Sequence, residues 1–264
     1  MKLAVSTYVC ALSLVAILPF CGGGIDRPPI EDVSSDSVTY ETEDGVRIVA
    51  DWFVPPGVTN PPVVILLHEQ DGTRAQWNGL IGILVEEGYA VLAPDIRGFG
   101  ESQTVIRDGQ AEPYVSGAPV DAIQDVAAAI KWLKGHSEVD SSRIAVIGAR
   151  LGANLAYVST GIFPEVKAAV AITPDPYKED DPLFTSIPDA AAHDVCFLAG
   201  GRSQWEEAVT LGVRIESPGG RRYVDHPDLD GVALLTIDEP VEDILGWLKE
   251  RLLSGEDTNF CSDR

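Results

Sequence analysis

Short continuous apolar runs alternate along the chain with stretches in which apolar residues return every third or fourth position. Val63-Val64-Ile65-Leu66-Leu67 and Tyr89-Ala90-Val91-Leu92-Ala93 have no polar face, the pattern of strands buried on both sides in a parallel sheet. Between them Trp77, Leu80, Ile81, Leu84 and Val85 recur at helical spacing, and Val120, Ile123, Val126, Ala127 and Ile130 form one face of a second helix. Strands are also expected at 143–147, 166–172, 195–199 and 213–216. Further helices are expected from Gly152 to Thr160, at 204–211 and at 241–253. Val38-Thr39-Tyr40-Glu41 and residues 47–54, joined by Asp44-Gly45, read as an opening antiparallel hairpin. This order predicts one α/β domain over residues 38–264, an open, mostly parallel twisted sheet with helices on both faces. Residues 102–119 and 174–192 read as long loops that would shape any cleft.

The first twenty residues carry one charge, Lys2, followed by the apolar run Leu3 to Phe20. Residues 1–20 therefore read as a signal peptide. Leu18-Pro19-Phe20-Cys21-Gly22-Gly23-Gly24 resembles a bacterial lipobox, with Leu18 three residues before the cysteine, although Phe20 is larger than the residue usual at that place. Lipidation of Cys21 would tether the domain to a membrane, each buried methylene contributing about 0.8 kcal/mol. A cleaved secretory peptide or an uncleaved anchor are the alternatives, and all three place the domain at the cell envelope, facing the periplasm or exterior, or secreted. Residues 21–37, rich in Gly, Pro, Ser and acids, read as a flexible linker.

Apolar residues make up 45% of the chain, enough for a sizeable core. Acidic residues outnumber basic ones 41 to 19, a formal charge of −22; loss of Lys2 with the leader makes it −23. Such an acidic surface argues against nucleic acid and against docking of the domain itself on anionic lipid. Cys196 and Cys261 remain once Cys10 and Cys21 are set aside; they can pair in an oxidising compartment, or Cys196 can stay a buried free thiol. The four histidines are scattered without ligand spacing, so no metal is implied. No cofactor is implied either, because Gly148-Ala149-Arg150-Leu151-Gly152 lacks the lysine and length of a phosphate loop.

The residues that carry chemistry lie at the ends of these strands. Arg143 to Ala149 is a β-rich run, Gly148-Ala149-Arg150-Leu151-Gly152 a tight turn, and the residues after it an Ala-rich helix start. This is the frame of a G-x-S-x-G nucleophile elbow with arginine at its centre. Together with Leu66-Leu67-His68-Glu69-Gln70-Asp71-Gly72 and Gly88-Tyr89-Ala90-Val91-Leu92-Ala93-Pro94-Asp95-Ile96-Arg97-Gly98-Phe99-Gly100-Glu101-Ser102, it resembles the α/β-hydrolase fold, within it the dienelactone hydrolase and serine esterase branch, over residues 38–253.

The resemblance implies an oxyanion hole built from amides near Glu69 and Gln70 and at Leu151, and a structural role for His68. It also shows what is missing. Arg150 stands for the nucleophile, and a guanidinium has five donors and no lone pair with which to attack. The expected acid position falls in Ala199-Gly200-Gly201-Arg202-Ser203, with no carboxylate. The expected histidine position falls at Arg221 or Arg222 in Ser217-Pro218-Gly219-Gly220-Arg221-Arg222, and His226 follows several residues later.

Three changed positions favour loss of hydrolysis, since any one already removes most of triad catalysis. The expected function is binding of a ligand or an envelope protein. The alternative is an active ester hydrolase with a displaced nucleophile and His226 as base; Ser102 reads as a turn residue, while Ser159 and Ser203 remain as substitutes without a base at readable spacing. Arg150, Arg202, Arg221 and Arg222, if they converge, would grip a small anionic ligand; the competing arrangement is an ion pair between Arg150 and an acid such as Asp175. His136 and His193 carry no signal.

Overall fold

The computed structural model describes Ile25 and residues 35–115, 119–175, 192–201, 221–223 and 228–254, with backbone alone at 119, 221–223 and 254. An antiparallel pair opens the fold: β1 (Asp36–Glu41) on β2 (Val46–Phe53). The parallel strands follow as β3 (Pro62–Leu67), β4 (Ala90–Pro94), β7 (Asp140–Ala149), β8 (Val166–Ile172), β9 (Val195–Ala199) and β10 (Arg221–Tyr223). With β5 (Thr104–Arg107) and β6 (Gln110–Pro113), the sheet has ten strands among the described residues, in the order β10-β9-β8-β7-β3-β4-β2-β5-β6 with β1 on the other edge of β2. The predicted α/β-hydrolase architecture is the observed one.

The helices are α1 (Asn78–Glu86), α2 (Ile123–Leu133), α3 (Leu151–Ile162) and α4 (Asp238–Leu248). Strand alternation divides the core between them. Val63, Ile65 and Leu67 pack with α2 and α3, whereas Val64 and Leu66 pack with α1 and α4. Since both faces are covered, the central strands carry no polar alternation. None of the described helices is long and apolar enough to cross a membrane.

Several expectations are corrected. The loop expected at 102–119 contains a hairpin, β5 (Thr104–Arg107) and β6 (Gln110–Pro113), turned at Asp108 and Gly109, both with positive φ. That Asp-Gly pair is the hairpin signal the loop reading passed over. On α2 it is Asp125 rather than Ala127 that is buried. The interior carboxylate accepts from the Arg97 amide at 2.9 Å and from its Nε at 2.7 Å, while Asp44 in the β1–β2 turn takes the rest of the guanidinium. Within the segment read as a flexible linker, the described residue Ile25 is half-buried and packs against the α1/α4 core. The helix and strand expected at 204–211 and 213–216 lie outside the described residues.

Candidate functional site

Chain order reverses at β3: the path runs outward to β4 on one side and to β7 on the other. In an open α/β sheet, ligands sit beyond the carboxyl ends of the strands at such a switch point. β3 ends at Leu67, paired with Gly148 of β7, so His68, Glu69 and the 148–152 turn share this edge.

Arg150 sits at the tip of the turn with φ 54° and ψ −117°. This is a sparsely populated conformation for a residue with a Cβ, held only where its surroundings enforce it. The two glycines supply the enforcement. A methyl group on Gly148 would overlap the Gly152 carbonyl, and one on Gly152 would overlap the Leu67 carbonyl. The Arg150 amide donates to Ile172 O of β8 at 3.1 Å, and its carbonyl accepts from Ala153 and Asn154 at 3.0 and 3.2 Å. The elbow predicted from the glycine spacing is present, and its strain is intact.

The side chain at the tip is occupied by acids. Nε of Arg150 lies 3.5 Å from Asp175 Oδ1, just beyond β8, and Nη1 lies 3.3 Å from Asp230 Oδ2, in the segment after β10. The ion pair with Asp175 is therefore formed, with Asp230 as a second partner that sequence reasoning missed. Asp230 lies 80 residues beyond Arg150, so no local signal marked it.

Around this pair the strand ends are laced together. The Glu69 amide, one expected oxyanion donor, is taken by Gln76 Oε1 at 3.2 Å. The Glu69 carboxylate accepts from the Val232 amide at 2.8 Å, and Gly231, with φ 54°, lies so close that any Cβ there would overlap that carboxylate. The Gly231 amide donates to Thr173 Oγ1 at 3.1 Å. Gln70 is exposed, and Leu151 opens α3, where first-turn amides have no intrahelical acceptor. His68 is buried; its Nε2 accepts from the Ile96 amide at 2.8 Å, so Nδ1 carries the proton and donates to Glu69 O at 2.7 Å. Burial holds its pKa below the ordinary histidine value, outweighing the upward pull of Glu69 O and Asp95, and it buttresses the loop as a neutral ring.

The described serines offer no substitute at this edge. Ser102 is buried and accepts from the Val49 amide at 2.9 Å, and Ser159 is buried within α3 and donates to Leu155 O at 2.6 Å. His136 and His193 are engaged locally, by Trp132 O at 2.8 Å and Asp194 Oδ2 at 3.0 Å. Cys196 is fully buried and disulfide-bonded, which settles against a free thiol. No cluster of His, Cys, Asp or Glu among the described residues could hold a metal.

Arg221 and Arg222 are corrected in one respect: they lie within β10, paired with Phe197 and Leu198, and not in the loop after the last strand. His226, Arg202, Ser203, Cys21 and Cys261, and the side chains of Arg221 and Arg222, lie outside the described residues; of the four arginines only the Arg150 side chain is described, and it faces carboxylates.

Comparison with known proteins agrees with this frame. Residues 49–204 match the dienelactone hydrolase family, well over half of the chain. The chain belongs to the dienelactone hydrolase family. A Mycobacterium tuberculosis protein of uncharacterised function is 30% identical over 155 residues, 59% of this chain and 48% of its own length. The α/β-hydrolase domain-containing protein WAV2 of Arabidopsis thaliana is 28% identical over 165 residues, 62% of this chain and 47% of that protein. The chain thus spans about half the length of these curated relatives. Among solved structures, the Pyrococcus furiosus esterase Pf2001 superposes with a TM-score of 0.67 at 21% identity, covering 87% of this chain and 98% of that one. This likeness is one of fold.

Proposed function

We propose that this member of the dienelactone hydrolase family is a binding protein of the cell envelope from which serine-hydrolase chemistry has been lost. One observation carries the reading: an intact, strained elbow presents Arg150, a residue that cannot attack a carbonyl, and that arginine is paired with Asp175 and Asp230. The occupied Glu69 amide supports it, because an oxyanion hole needs its donors free to meet the developing charge.

The envelope location rests on the signal-like residues 1–20 and the lipobox-like Cys21. Ile25 stands four residues beyond Cys21, so a lipid there would hold the α1/α4 face within about 14 Å of the anchor by chain length alone.

A second reading, an ester hydrolase with a displaced nucleophile and His226 as base, draws on one observation: β10 ends at Tyr223, three residues before His226. Fluorophosphonate labelling and ester turnover of the purified protein, beside Arg150→Ser, separate the two. The binding reading expects no labelling and no turnover in the wild type, with labelling gained only in Arg150→Ser. Labelling of the wild type at another serine would establish the hydrolase instead.

A further inference from the structure

Away from the elbow, α2 and the end of β1 border a cavity of about 350 Å³, within the range of about 300 to 1,000 Å³ that holds small ligands. Glu41 and Glu43 line it from β1 and the turn that follows, Gln124 and Lys131 line it from α2, and Ala127 and Ala128 add an apolar part. The sheet order puts β2, which shares that turn, three strands from β7, so this cavity is separate from the strand ends around Arg150.

A buried cation ties its two walls together. The Arg97 guanidinium, 4% exposed, reaches Asp44 of the turn at 2.7 and 3.1 Å and Asp125 of α2 at 2.7 Å. Thr42, which also lines the cavity, joins this network by donating to Asp44 Oδ1 at 2.5 Å. A recess whose walls are already fixed loses little freedom when it takes up a ligand.

The polar groups at the cavity are unspent. Among the described residues the side chains of Glu43, Gln124 and Lys131 have no hydrogen-bond or ion-pair partner, and Glu41 has only Arg47, at 3.9 Å. Lys131 and the two glutamates, although opposite in charge, do not pair across the cavity. A ligand that is only a cation would leave Lys131 unmatched, and one that is only an anion would meet two carboxylates. Gln124 presents an amide with donor and acceptor both open, the complement of another amide.

We infer that this cavity binds a small zwitterionic peptide of dipeptide size, its ammonium toward Glu41 and Glu43, its peptide group beside Gln124 and its carboxylate toward Lys131. Gln124 and Lys131 stand seven residues apart on α2, about 10 Å along the helix axis, so polar groups spread along a ligand can be met together. An extended dipeptide offers such a spread over about 7 Å. A single amino acid carries both charges but no peptide group for Gln124. The inference goes beyond the reading of the elbow and holds whether or not that site catalyses.

The test is calorimetric titration of the full chain in non-ionic detergent with alanylalanine, its N-acetyl form, its C-terminal amide and free alanine. Alanylalanine is expected to bind at least about threefold tighter than each of the other three. Lys131→Met should weaken alanylalanine about threefold and leave the C-terminal amide unchanged, whereas Glu43→Gln should weaken it by a similar factor and leave the N-acetyl form unchanged. Both side chains are exposed, so neither substitution disturbs the core. No binding by the wild type, equal binding of alanine or of either capped form, or alanylalanine binding indifferent to either variant would each overturn the inference.

Discussion

Asp230 Oδ2 stands 3.3 Å from Nη1 of Arg150, tying the elbow tip to the segment that follows β10. In the hydrolase resemblance these are the regions from which nucleophile and base approach each other. Here they meet as cation and anion. The attraction stabilises the folded edge modestly, since pairs this exposed contribute about 0 to 1 kcal/mol.

Arg150 therefore costs more than it returns. Its φ of 54° is natural to glycine and strained for arginine. The strain amounts to about 1 to 3 kcal/mol, against which stand the weak ion pairs and the greater chain entropy of glycine. Arg150→Gly is expected to stabilise the protein by about 1 kcal/mol in urea melts with an unchanged m-value. Destabilisation by a similar amount would show that the pairs with Asp175 and Asp230 outweigh the strain.

The glycine frame should be far less tolerant. Gly152→Ala drives a methyl group into the carbonyls of Leu67 and His68, which belong to backbone and cannot swing aside. A loss of about 3 kcal/mol or more is expected, visible as a Tm decrease of several degrees. A near-neutral Gly152→Ala would mean that the strand-to-helix approach is looser than the structure shows.

Much of this architecture was legible because it is periodic or local. The apolar runs at β3 and β4 and the Gly148/Gly152 spacing need only neighbouring residues to be read. The hairpin at Asp108-Gly109 is local too, but its strands are only four residues each and β6 is exposed throughout, so no apolar alternation sets them apart from a loop. Asp125 and Asp230 were not legible. Each earns its place through a partner distant in sequence, Arg97 or Arg150, and an acidic residue in a strongly acidic chain reads as solvated surface until that partner is seen. Asp175 was legible as a partner of Arg150 because it lies just past the strand that follows the elbow helix, whereas Asp230 lies 80 residues beyond Arg150 and carries no local signal.

Glu69 reaches across the same edge, and removing it tests whether the lacing matters. Glu69→Ala strips the acceptor from the Val232 amide, which is part-buried, at a cost of about 1 to 2 kcal/mol. Amide exchange should speed up locally at Gly231 and Val232 and remain unchanged at Val64 or Ile147 in the sheet centre. Uniform acceleration would instead report global destabilisation and count against a local latch.

The interior pair far from this edge governs the response to pH. Burial pushes the Asp125 carboxyl up to about 6, against the opposing pull of Arg97. A raised folded-state pKa means that the folded protein holds a proton which the unfolded chain has released. The stabilisation is therefore full below the ordinary aspartate value of about 4 and is lost as pH rises through about 6. Asp44, Asp140 and Glu165 act in the opposite sense: burial works upward on each, but hydrogen bonds and charge from Arg97, Arg143 and Lys134 prevail and hold them below their ordinary values. Their contribution is present above about 4 and is lost on acidification. Stability should consequently pass through a maximum between about pH 4 and 6. The wild-type gain between pH 7 and 5 should exceed that of Asp125→Asn by about 1 kcal/mol, read as the difference in slope between the two proteins, so that the general relief of charge repulsion cancels. Parallel slopes would show that Arg97 keeps Asp125 ionised throughout.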